Sequence, residues 1–104
     1  MSHKPSKTKT SFFRRIYVAY LIDSGISTVP AIIDTTGMPK RTAQDTITAL
    51  HELEIQVEFV GATKNGCYQL TDWGAVNKRW VEAKLSKIIE VLEYPELPDQ
   101  DKMR

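Results

Sequence analysis

Pro39–Leu53 reads PKRTAQDTITALHEL, and its spacing decides the fold. Ala43, Ile47 and Leu50 recur at helical period and make one apolar stripe, which stops at Glu54. Arg41, Asp45, Thr48 and Glu52 fall on the opposite side, with Thr42 and Gln44 at the flanks. A helix facing a core needs the first set. It does not need two cations in its first turn. Lys40 and Arg41 sit where the helix dipole is positive, an exposed mismatch of roughly 0.3–1 kcal/mol per charge. An external anion turns that mismatch into attraction, and a DNA phosphate is the obvious candidate. The plain alternative is a solvated pair.

Upstream, Thr36-Gly37-Met38 forms the turn that presents this helix, with Pro39 suited to its first position. Residues 28–36 predict a shorter helix with Val29, Ile32 and Ile33 on one face and Ser27 as its N-cap. Pro30 is tolerated in a first turn, whose amides lack partners within the helix. Before the extended link Gly25-Ile26-Ser27, residues 11–24 predict a first helix, capped by Ser11 and stopped by Gly25. Its run Ile16–Ile22 is apolar on every side, so it must be covered on more than one face. A second subunit can supply that cover. Residues 1–10, MSHKPSKTKT, read as a disordered basic tail or an arm that orders on a partner.

Downstream, the period changes from 3.6 to 2. Ile55, Val57 and Phe59 alternate with Gln56 and Glu58, and Thr63-Lys64-Asn65-Gly66 follows. Asn-Gly between alternating runs is a strong hairpin signal. The return strand is Cys67–Thr71, with Tyr68 and Leu70 on one side. The apolar hairpin residues are expected to pack on the helices, because an isolated hairpin is marginal. A last helix is expected from Asp72 to about Glu93, ended by Tyr94-Pro95. Trp73, Val76 and Trp80 make one stripe on it. Val81, Leu85, Ile88 and Leu92 make a second, with the seam pattern of a short coiled coil. That seam is expected to form a homodimer interface; packing within one chain is the alternative. Residues 95–104 read as a polar, disordered tail.

Composition narrows the function classes. The chain has 104 residues, 41% hydrophobic, enough for one small domain. Its longest apolar run is far short of the ~20 residues that span a bilayer, and no secretory signal is visible. One cysteine, Cys67, excludes an internal disulfide and a cysteine zinc cluster. A cytoplasmic protein is the expectation. Net charge is only +1, but it is unevenly spread. Residues 1–42 carry seven basic and two acidic residues, and residues 43–104 carry seven and eleven. The first part therefore suits a polyanion.

Helix, link, helix, tight turn, helix, hairpin, helix is the order of a winged helix-turn-helix domain. Ser27–Leu53, with Gly37 in the turn and Lys40-Arg41-Thr42 opening the helix, resembles that family's core motif. The resemblance covers residues 11–93, with the domain at 11–71, and is to small bacterial transcription regulators. It implies a mainly α fold with a small β-hairpin (α+β) in which Pro39–Leu53 reads the major groove of double-stranded DNA. Carried onto this chain, it nominates Lys40, Arg41, Thr42, Gln44, Asp45 and Thr48. Arg41 suits guanine, Gln44 adenine and Asp45 cytosine, while Lys40 and Thr42 suit phosphate. Arg41 and Asp45 are also four apart, the spacing of a weak intrahelical pair. Ser27 and Thr28 are further phosphate candidates, as is the wing tip, Lys64-Asn65. Winged helices also serve as protein–protein modules without DNA binding, the second function class.

No catalytic constellation, cofactor motif or metal-ligand set stands out. His3 falls in the tail, and His51 reads as an exposed polar residue near the helix end. Two histidines and one cysteine are too few for a closed zinc site. Cys67 reads as a small apolar residue or, alternatively, a redox sensor. The operator, the target genes and any small-molecule effector are not written in the chain.

Overall fold

The computed structural model describes residues 5–62 and 66–95. Its helices are α1 (Lys7–Asp23), α2 (Val29–Thr36), α3 (Lys40–Ala49), α4 (Lys78–Ala83) and α5 (Leu85–Leu92). A 3-10 turn, Leu50–Leu53, prolongs α3, and strands β1 (Gln56–Val60) and β2 (Cys67–Asp72) form an antiparallel hairpin. The mainly helical α+β architecture with one hairpin is the expected one.

Helix α1 is the centre. Ile16, Tyr17, Val18, Ala19 and Leu21 are fully buried, and Phe13 and Ile22 nearly so. Its all-round apolarity is met within a single chain: α3, α4, α5 and β2 all pack against it. The helix starts earlier than expected. Ser6, not Ser11, is the N-cap, its hydroxyl accepting the Lys9 N–H at 3.1 Å. Lys7 and Lys9 are therefore helical and not part of a loose arm; Lys4 lies outside the described residues.

The cap of α2 also shifts by one residue. Thr28, not Ser27, accepts the Ala31 N–H at 3.1 Å. At the other end Gly37 adopts φ 79°, a left-handed conformation that glycine takes without a Cβ penalty. Thr36 is buried and bridges the turn: its hydroxyl donates to the Ile32 carbonyl at 2.8 Å and accepts the Met38 N–H at 3.1 Å. Met38, also buried, pins the turn to the core. Pro39 takes the cap position and not the first helical one, with extended ψ of 152°.

The last expected helix is divided. Asp72 remains in β2, pairing with Gln56, and the chain turns through Trp73–Asn77 before α4. Gly74 has φ 61°, and a Cβ there would strike the Glu54 carbonyl, so the turn lies directly on the end of the 3-10 segment. The Ala75 N–H donates to the Leu53 carbonyl at 3.0 Å and holds it there. A second break at Lys84 separates α4 from α5. Val81 and Ile88 are fully buried, Leu92 is 9% exposed and Leu85 is half-buried. The stripe read as a dimer seam is instead internal, covering α1. Val81, Ile88 and Leu92 are buried in their own chain and have no surface left for a second copy; only Leu85 keeps some.

The hairpin pairs Val57 with Leu70 and Phe59 with Tyr68, with an irregularity between Gln56 and Val57. Ile55 is buried and Val57 half-buried, as the alternation requires. Phe59 departs from expectation: it is 49% exposed and sits edge-on to Tyr68 with ring centroids 5.1 Å apart. It stabilises the hairpin without reaching the helices.

Candidate nucleic-acid interface

The outer face of α3 is polar and open. Lys40, Arg41, Gln44, Asp45 and Thr48 are all exposed, while Ala43, Thr46 and Ile47 face the core. This division follows from the helical spacing, which places 43, 46, 47 and 50 on one side. No side chain caps the α3 N-terminus, so its first amides are free for an anion. Lys40 and Arg41 stand beside them.

Arg41 Nε lies 3.9 Å from Asp45 Oδ2, and the two side chains are 91% and 75% exposed. At that distance and exposure the pair is weak, and both groups remain free to meet a ligand. Thr48 donates back to the Gln44 carbonyl at 3.0 Å, leaving its oxygen as an acceptor. Thr42 differs from the other nominated residues: it is half-buried and turns toward α1. His51 is exposed, its Nδ1 donating to the Thr48 carbonyl at 2.6 Å.

Ser27 and Thr28 serve the fold as well. Thr28 spends its hydroxyl on the α2 cap. The Ser27 carbonyl accepts the Tyr68 N–H at 2.7 Å and so joins the α1–α2 link to the hairpin. Lys64 and Asn65 lie outside the described residues.

Two cations were missed by the motif reading. Arg14 and Arg15 immediately precede the apolar run of α1 and line a cleft of about 240 Å³ with Ser11, Thr42 and Asp45. Their signal was a basic pair inside a helix that otherwise reads as core. Elsewhere, Phe12 and Trp80, 39% and 43% exposed, border an apolar groove completed by Ile16, Leu53 and Val76. No group of three or more His, Cys, Asp or Glu able to hold a metal occurs among the described residues. No helix there is long and apolar enough to cross a membrane.

A three-helix core with a tight turn, a polar-faced third helix and a following hairpin defines a helix-turn-helix domain with a wing. The chain belongs to the winged helix-turn helix family, whose model matches residues 7–92. It is similar to a solved structure, a DUF2131 family protein from Shewanella amazonensis SB2B. That likeness has a TM-score of 0.82 and 29% identity, covering 88% of this chain and 92% of the other. No curated protein matches.

Proposed function

We propose that the protein binds double-stranded DNA by laying α3 in the major groove and acts as a transcription regulator. The observation that carries this reading is the open α3 face: a cationic, uncapped N-terminus followed by Gln44, Asp45 and Thr48, none of them used by the core. These side chains have the donors and acceptors needed to read base edges. Lys40 and the free amides suit phosphate, Ser27 and Thr28 add polar groups at the start of α2, and Lys64 and Asn65 extend the reading to the wing. A cytoplasmic location belongs to the same reading.

The regulator acts as a homodimer in this proposal, with two recognition helices entering successive major grooves about 34 Å apart. With Val81, Ile88 and Leu92 buried, the groove beside Phe12 and Trp80 is the pairing surface of this reading. The same groove favours a second reading, a protein-interaction module that binds another chain there and leaves DNA alone.

A titration against a mixed-sequence duplex at two salt concentrations tests the main reading. Binding that weakens steeply with salt supports it, because neutralised phosphates release counterions. No binding at low salt overturns it in favour of the interaction module.

A further inference from the structure

We propose that the cleft between α1 and α3 seats a backbone phosphate of the bound DNA, with Arg14 as its main cation and Ser11 and Thr42 as hydroxyl donors. The inference deepens the DNA-binding reading and rests on it. It assigns a function to residues outside the recognition helix.

The geometry supplies the argument. The cleft's volume, about 240 Å³, is many times the ~10–15 Å³ that one water needs, which is room for a phosphate group. It shares Thr42 and Asp45 with α3, so it opens along the flank of the helix nominated to enter the groove. A strand bordering that groove passes beside it. Arg14 lines this cleft and is not committed to another described residue. Its Nε is buried and has no hydrogen-bond partner, and no described acid lies within ion-pair distance of its guanidinium. A buried donor without a partner is costly, and arginine matches phosphate geometry better than any other side chain.

Neighbouring charges do not cancel the site. Arg15 is 3.3 Å from Glu52, and Asp45, the one acid among the cleft-lining residues, is exposed and has Arg41 3.9 Å away, so Arg14, Arg15 and Arg41 outnumber the two acids. Arg14 is left over, so the cluster stays net positive. Lys7 precedes Ser11 by four residues and Arg14 by seven, so all three share one face of α1. That face forms a polar and basic strip beside the recognition helix.

The test is a set of salt titrations with a fluorescein-labelled mixed-sequence duplex, using the wild type, Arg14→Gln, Arg14→Lys and the distant control Lys87→Gln. Arg14→Gln is expected to reduce the slope of log K against log salt by about 0.9, one phosphate contact, and to weaken all sequences alike. Arg14→Lys should retain most of the slope, and Lys87→Gln should match the wild type. An unchanged slope in a folded Arg14→Gln protein overturns the phosphate site while the DNA reading stands. A wild type that shows no salt-sensitive binding removes both. If Arg14→Gln does not fold, the Arg14 Nε–H resonance of the wild type gives the answer. It should shift when duplex is added, and a stationary resonance overturns the site.

Discussion

The Tyr68 N–H donates to the Ser27 carbonyl at 2.7 Å, a backbone bond between the return strand of the hairpin and the link before α2. It couples the wing to the helix-turn-helix through main chain alone. Side-chain substitution at Ser27 therefore leaves the coupling in place. Ser27→Ala should keep the fold and the melting temperature close to wild type. A fall of more than a few degrees would show that the hydroxyl, 3.4 Å from the Gly25 carbonyl, contributes more than its geometry indicates.

Arg41→Ala should separate recognition from stability. Its partner Asp45 is distant and exposed, so thermal stability should hardly change. DNA affinity should fall by roughly 1–3 kcal/mol, with relaxed preference at one base pair. Binding measured across single-base variants of a selected site checks this. A uniform loss over all variants would make Arg41 a phosphate contact instead.

Ile88→Ala should destabilise the fold of the single chain by about 2–5 kcal/mol, because the side chain is fully buried against the core. Chemical denaturation measures it. Were Ile88 a contact between copies, the same change would dissociate a dimer and leave the fold nearly intact.

Trp80→Glu should leave the fold standing, since the ring is 43% exposed and meets Phe13 only edge-on at 6.4 Å. Sedimentation should show a dimeric wild type and a monomeric variant. Equal masses would exclude the Phe12–Trp80 groove as the pairing surface.

Stability should decline in alkali. Burial, with smaller contributions from Tyr20 and Tyr94, pushes the Tyr17 phenol from 10.0 up to about 12. The folded state thus holds a proton that the unfolded chain has released, and stability falls as pH rises through that window. Lys78 acts in the same direction: its hydrogen bond to Asp23 raises its pKa, so its contribution is complete below 10.5 and fades above. Tyr17→Phe should flatten the alkaline decline in melting temperature. At neutral pH it should cost little, because the buried phenol oxygen has no partner. An unaltered alkaline profile would rule Tyr17 out as the cause.

The helix-turn-helix was legible because its signals are local. Gly37 needs a left-handed turn, and Ala43, Ile47 and Leu50 declare the core face of α3 within a dozen residues. The exposed remainder, Lys40 to Thr48, followed by subtraction. Three features were not legible for a physical reason. Ser6 and Ser11 are equally good caps in isolation, as are Ser27 and Thr28, and tertiary packing chooses between them. Gly74 stops the expected long helix because its backbone lies on Glu54, a contact invisible along the chain. The stripe Val81–Leu92 has the same period whether it meets a second copy or α1. Arg14 and Arg15 were hidden in the opposite way, as charges in a helix whose apolarity drew the reading to its core.

The covering of α1 by α5 joins the first and last helices among the described residues. Because α1 precedes α5 in the chain, its apolar surface waits for residues through Leu92. Such a domain folds as one unit, its first helix gaining its full cover only with α5. A chain that lacks α5 leaves part of the Ile16–Ile22 surface uncovered and becomes a target for chaperones and proteases. Presentation of α3 thus depends on α5, through the helix that both pack against.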